Sequence, residues 1–326
     1  MHGNRQGMNS LSHNMAFERD MLKAARPSIS RYAKKQGDTK MTKANKLAAY
    51  RAMADVLSCG RTVTEQIETI KKYGNHGVSS VLRAAVLAAH GIPKPKDKAQ
   101  ICVIFGCYRP FNTPFFVRDS IRLLDKLGID YTYLDQEYCC GAPFAMMALE
   151  EQRDFVMNVG REFNRQNLDL AQQKGATKLA YCCVGCVHSA RDTSRETSDQ
   201  HVYILDLILD GLEKHHLKIP PTVMGYFEGC HTLVRSNYPA ARINWDRYRQ
   251  RLNNIEGLQV VDLPNNVCCK SSSDKIIESA ENMNLDKILL SCSGCYSPLM
   301  QAAKGRLQMI SLPELLLQSL EGSVLP

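Results

Sequence analysis

Ten of the thirteen cysteines in this chain fall into two sets with one order: a single cysteine, an adjacent pair, then C-x-x-C. The first set is Cys107, Cys139, Cys140, Cys183 and Cys186; the second is Cys230, Cys268, Cys269, Cys292 and Cys295. An adjacent pair puts two thiolates side by side, which suits bridging between irons, and C-x-x-C supplies a chelating pair. Five soft ligands exceed the four that a structural zinc takes, so a multi-iron cluster accounts for the count more simply. Thiolate sets also bind zinc, which leaves zinc in one of the two sites as an alternative. A lone buried cysteine is most simply an inert apolar side chain, and Cys59 and Cys102, which fit neither set, are read that way. Cys182 competes with Cys183, but only Cys183 completes C-x-x-C with Cys186. His188 and His231 lie beside the two sets as ligands or as neighbours of ligands, and the charges around Arg191-Asp192 read as a solvated helix face.

Each cysteine stands at or just past the end of an expected strand. Ile101-Cys102-Val103-Ile104-Phe105 leads to Cys107, Tyr131-Thr132-Tyr133-Leu134 to Cys139-Cys140, and Lys178-Leu179-Ala180-Tyr181 to Cys183. Between them come a helix carrying Phe115, Phe116, Ile121, Leu124 and Leu127, and a long helix from about Leu149 to Lys174. The layout recurs. Val223 to Gly229 precedes Cys230, Leu258 to Leu263 precedes Cys268-Cys269, and Lys287 to Ser291 precedes Cys292. A duplicated β-α-β-α-β unit predicts two tandem, pseudo-symmetric α/β domains with mainly parallel sheets. In such sheets the carboxyl ends of the strands gather at one edge, where five sulfurs can converge. Glycines beside the sulfurs (Gly106, Gly141, Gly185, Gly229, Gly294) serve tight turns or close approach to a bound group.

The cysteine domains are expected over 99–219 and 220–326, divided near Pro220-Pro221, after a basic, partly irregular helical extension over 1–98. That extension holds 18 Lys and Arg against 7 Asp and Glu, whereas the whole chain is +8. In it, Leu47, Tyr50, Ala54 and Leu57 form one helical stripe and Val78, Val81, Leu82, Ala85, Val86 and Ala89 another, ended by a linker over 91–97. An acidic partner surface fits this charge; nucleic acid is not expected, because the basic residues alternate with apolar helical positions and few aromatics accompany them. The sequence contains no apolar run of the length that spans a bilayer and opens without a secretory signal, so a reducing cytoplasm is expected. There, thirteen cysteines point to metal or redox chemistry rather than disulfides. Gly74-Asn75-His76-Gly77 does not complete a dinucleotide fingerprint, and electrons must be exchanged with a partner protein.

The doubled order Cys…Cys-Cys-Gly…Cys-x-x-Cys resembles the cysteine-rich CCG-domain proteins of the heterodisulfide reductase B-subunit family, over about residues 100–320. The resemblance implies two non-cubane [4Fe-4S] iron-sulfur clusters held by the ten cysteines above, and reversible disulfide/dithiol chemistry in a complex with a ferredoxin-like C-subunit and a flavoprotein A-subunit. The substrate implied is a small or protein-bound disulfide or dithiol. Relatives also serve sulfur oxidation, and others act as electron-transfer partners of flavoprotein dehydrogenases; a zinc-stabilised scaffold is the remaining alternative. Two departures stand out: Cys268-Cys269 is followed by Lys270 where the family pattern has glycine, and the basic extension has no place in the simple B-subunit. Residues 59–65 look like the tail of the ferredoxin-like C-subunit without its cluster cysteines.

Overall fold

The structure, a computed structural model, describes residues 62–142, 150–229, 243–264, 267–269 and 271–321. Cys59, Cys230, His231, Lys270 and the helical stripe of Leu47 to Leu57 lie outside the described residues. Two helices come first, α1 (Val63–Tyr73) and α2 (Ser80–Ala89). Thr62 opens α1 with a capping box, its hydroxyl accepting from the Glu65 amide while the Glu65 carboxylate accepts from the Thr62 amide, and Gly74 closes it in the left-handed conformation.

The first half follows as β1 (Ile101–Ile104), α3 (Arg109–Asn112), α4 (Pro114–Lys126), β2 (Tyr131–Tyr133), α5 (Arg153–Gln173), β3 (Lys178–Tyr181), α6 (Val184–Thr193), β4 (His201–Tyr203) and α7 (Ile204–Gly211). The second is β5 (Lys218–Phe227), α8 (Trp245–Asn253), β6 (Glu256–Asp262), α9 (Ser273–Asn282), β7 (Lys287–Leu290), α10 (Ser293–Ala303), β8 (Gln308–Ser311) and α11 (Leu312–Glu321). Each half builds a four-stranded sheet, in the orders β2-β1-β3-β4 and β6-β5-β7-β8. Every pairing among the described strands is parallel. The fold is therefore the duplicated parallel α/β architecture that the strand and helix pattern predicts.

Parallel sheets are covered on both faces, and their strands are apolar accordingly: Cys102, Val103, Leu179, Ala180, Ile288 and Leu289 are all buried. In each half the chain leaves the first strand to one side and later returns to its other side, so β1 and β5 are points where the strand order reverses. Crevices form outside the carboxyl ends of strands at such points.

Four elements differ from expectation. The Pro220-Pro221 pair, near which the domain division is expected, lies inside β5; the register with β6 shifts between Lys218 and Thr222, and proline is tolerated where a ladder is interrupted. Strands β4 and β8 go beyond the expected pattern, because each is three or four residues long and runs directly into an apolar helix. Helix α2 is rotated: Val81 is 79% exposed, while Arg83 is buried with Val86 and Leu87. An ion pair turns it, since Arg83 donates to the Glu137 carboxylate at 2.6 Å, both side chains being buried.

Candidate functional site

In the first half, β1, β2 and β3 end together, and their following loops bring the five sulfurs of the first set into one run. Cys139 is in hydrogen-bond contact with Cys107 and Cys140. Cys140 in turn meets Cys186, which meets Cys183. All are buried except Cys183, which is partly exposed.

Along this run the proton affinities alternate. The hydrogen bond from Cys139 lowers Cys107 to about 7. Hydrogen bonds from Cys139 and Cys186 hold Cys140 well below the usual thiol range. Cys186 and the nearby Arg109 lower Cys183 to about 6. The intervening Cys139 and Cys186, donors in those bonds, are raised well above it. Alternate sulfurs along the run are thus favoured as thiolates by hydrogen bonds from their neighbours, and a soft metal would displace the remaining protons.

The turns are shaped for close approach. Gly106 has φ +89°, and a Cβ there would lie 3.3 Å from the Cys186 sulfur. The glycine of Cys-Cys-Gly serves packing instead. Gly141 has φ +78°, and its Cβ would come within 2.7 Å of the Gly160 Cα on α5. This glycine admits a helix backbone against the doublet.

A buried carboxylate fixes the turn after β1. Glu137 accepts the amides of Phe105 at 3.0 Å and Gly106 at 2.7 Å, immediately before Cys107. Arg83 of α2 neutralises it and also donates to the carbonyls of Leu134 and Asp135. On α1, Ile67 and Ile70 pack in one cluster with Cys107, Cys139, Val156 and Phe163. The part of the extension that the structure describes is therefore a wall of the first site.

Of the second set, Cys268, Cys269, Cys292 and Cys295 are described. Cys295 is in hydrogen-bond contact with Cys269 and Cys292, and its own proton affinity is raised by them. The bond from Cys295, aided by Arg109, lowers Cys292. Gly229, next to Cys230, places its α-carbon against Cys292, where an added Cβ would come within 2.7 Å of the Cys292 Cβ.

Arg109 joins the two sites. Burial opposes its charge, and the sulfurs of Cys183, Cys292 and Cys107 outweigh that cost and raise its proton affinity. Its Nη1 donates to the Ser293 carbonyl at 3.3 Å, and its Nε is buried with no hydrogen-bond partner among the described residues. The seam is tightened by Ser293 Oγ donating to the Cys182 carbonyl at 2.8 Å and Tyr203 donating to the Ser291 carbonyl at 2.7 Å.

The remaining candidates are set apart from the runs. Cys182 and Cys102 are fully buried, and burial raises both, Cys102 to about 12 with Glu137 adding to the effect. His188 is fully buried with neither ring nitrogen hydrogen-bonded among the described residues, and burial lowers it to about 3, so it is neutral. Sequence reasoning missed Glu137, Arg83, Arg109 and His76. Only Glu137 and Arg109, each two residues from a cysteine of the set, were within reach of local inspection.

The duplicated parallel α/β fold gathers runs of cysteines, donors suited to a soft metal, at its strand ends. Comparison with known proteins narrows this. Residues 101–190 match the family model described as a cysteine-rich domain, CCG. The chain is related to the D-subunit of the dihydromethanophenazine:CoB–CoM heterodisulfide reductase. It is 26% identical over 230 residues to that of Methanosarcina acetivorans, covering 64% of this chain and 55% of the relative. The Methanosarcina barkeri counterpart is 29% identical over 147 residues, covering 42% and 35%. An uncharacterized iron-sulfur protein of Methanocaldococcus jannaschii is 24% identical over 203 residues, covering 62% and 38%. The matches thus span about half or less of these curated relatives. Among the described residues no helix is long and apolar enough to cross a membrane.

Proposed function

We propose that this chain is the iron–sulfur subunit of a heterodisulfide-reductase-like complex, in which the two cysteine sets hold two four-iron clusters and a disulfide is reversibly reduced to two thiols between them. The observation that carries this reading is that Arg109, two residues after Cys107, reaches the second set: its Nη1 donates to the Ser293 carbonyl at 3.3 Å, and a Cβ at Gly294 would lie 3.3 Å from its Nη2 and 3.5 Å from the Cys292 sulfur. The donor set fits: the sulfurs form an extended run, as a multi-iron group requires, and Gly106 leaves room beside them for a bound group.

The clusters, when bound, would supply or accept electrons one at a time. Cutting an S–S bond consumes two electrons and two protons and yields two thiols, so two one-electron sites on either side of one substrate match the requirement. The chain's own part is to hold the ten cysteines, exclude water and keep a positive charge at the seam. Arg109 favours each site in its more negative form and would stabilise a thiolate formed between them. In this reading the electrons come from or go to partner proteins.

The test is iron, acid-labile sulfide and zinc per chain in anaerobically purified protein, followed by disulfide turnover with a chemical electron donor or acceptor. About eight irons per chain would fit two four-iron clusters. Iron with no disulfide turnover in the assembled complex would place the chain as an electron-transfer protein, and zinc without iron would leave a structural scaffold.

A further inference from the structure

We infer that His76, which lies outside both cysteine sets, is a nitrogen ligand at the Cys107–Cys139 end of the first site, so that the two sites differ in kind. The inference rests on the first set holding a metal centre. Among the described residues, one group of three ligating atoms closes to within 4.8 Å of one another, and it is formed by His76, Cys107 and Cys139, all buried. The His76 Nε2 stands 3.8 Å from the Cys139 sulfur. That is close to the separation of about 3.6 Å expected between a nitrogen and a sulfur bound tetrahedrally to one ion at the usual bond lengths.

The imidazole is held there by three independent restraints. Its ring stacks on Tyr108, the neighbour of Cys107, with centroids 4.2 Å apart. The preceding residue locks the loop: the Asn75 carboxamide accepts the amides of Gly77 and Val78 at 3.1 and 2.6 Å and donates to the carbonyls of Tyr73 and Val78. The Gly74 carbonyl accepts the Cys139 amide at 2.7 Å, tying the loop to the doublet itself. A ligand oriented in this way by its surroundings is preorganised rather than recruited. The duplicated units begin after this loop, so the device belongs to the first site by the order of the chain. A mixed nitrogen–sulfur shell there carries less negative charge than an all-thiolate one, and Rieske-type centres show that histidine in place of cysteine raises a cluster's potential.

The experiment uses the full chain, purified anaerobically, with metal content measured first. If the first site holds iron, pulsed EPR is recorded on protein grown with ordinary and with nitrogen-15 histidine, and on His76→Gln. The expected result is a directly bound nitrogen coupling that changes on labelling and is lost in His76→Gln. If the first site holds zinc, X-ray absorption should show one nitrogen at about 2.0–2.1 Å that is lost in the same variant. A metal-loaded protein with no such nitrogen, or one whose signal survives in His76→Gln, overturns the assignment of His76 while leaving the cluster reading intact. Absence of both metals overturns both. The labelled wild-type protein gives its answer even if the variant fails to fold.

Discussion

At the residue scale, the adjacent Cys182 and Cys183 separate two roles that a cysteine can take. Cys182 is fully buried and held as a thiol chiefly by loss of water, whereas Cys183 is in contact with Cys186 and lies by Arg109. On the proposed reading, Cys183→Ala should lose metal from the first site. Cys182→Ala should keep it, at a stability cost of about 1 kcal/mol for the small volume removed. Metal analysis and denaturant melts on the two variants check this, and loss of metal from Cys182→Ala alone would reverse the assignment. Gly141 gives a second expectation. With φ +78° and a would-be Cβ 2.7 Å from the backbone of α5, Gly141→Ala should destabilise the chain by about 2 kcal/mol or more, read from its denaturation midpoint.

At the element scale, helix α2 is held by charge where apolar pattern alone would have set it differently. Arg83 and Glu137 are 3% and 2% exposed, and Glu137 clamps the turn that delivers Cys107. Removing one partner leaves a buried charge alone. Arg83→Met should therefore cost about 3–5 kcal/mol, with the first site losing its metal ahead of the second. Arg83→Met combined with Glu137→Gln should recover part of that loss, and a double variant no better than the single would show that the pair is not the cause. The same elements show the reach of pattern reading. Helix α4 and the strands β1, β3, β5 and β7 are legible because apolar residues recur at helical spacing or form short β-rich runs. Strands β4 and β8 are not, since no turn residue separates His201–Tyr203 from Ile204 or Gln308–Ser311 from Leu312.

At the scale of the whole molecule, the two halves meet at Arg109 and the hydrogen bonds beside it. Arg109→Gln removes a charge that lies by both sulfur sites. On the proposed two-cluster reading it should lower both reduction potentials, by an electrostatic energy on the order of 1–3 kcal/mol, whereas Arg109→Lys should retain most of the effect. Potentiometric titration followed by EPR measures this, and a shift confined to one site would contradict a shared role. Tyr203→Phe, which deprives the buried Ser291 carbonyl of its donor, should cost about 1–3 kcal/mol without altering metal content.

What the sequence determined by itself is what depends on neighbours in the chain: the two sets of cysteines, their placement after strands, the duplication, and hence a parallel α/β fold with sulfurs gathered at strand ends. Periodicity and spacing carry that information because helices, strands and chelating pairs are built from residues close in sequence. The tertiary structure alone decided what faces those sulfurs. His76 meets Cys139 across 63 residues, Arg83 meets Glu137 across 54, and Arg109 meets Ser293 across 184. Each is a polar side chain whose ordinary place is the surface; His76 and Arg83 are buried and Arg109 half-buried here, because partners distant in sequence offset the loss of water. Local pattern holds no record of such a partner, so an extension that reads as basic and partly irregular becomes, from Thr62 onward, part of the site's wall.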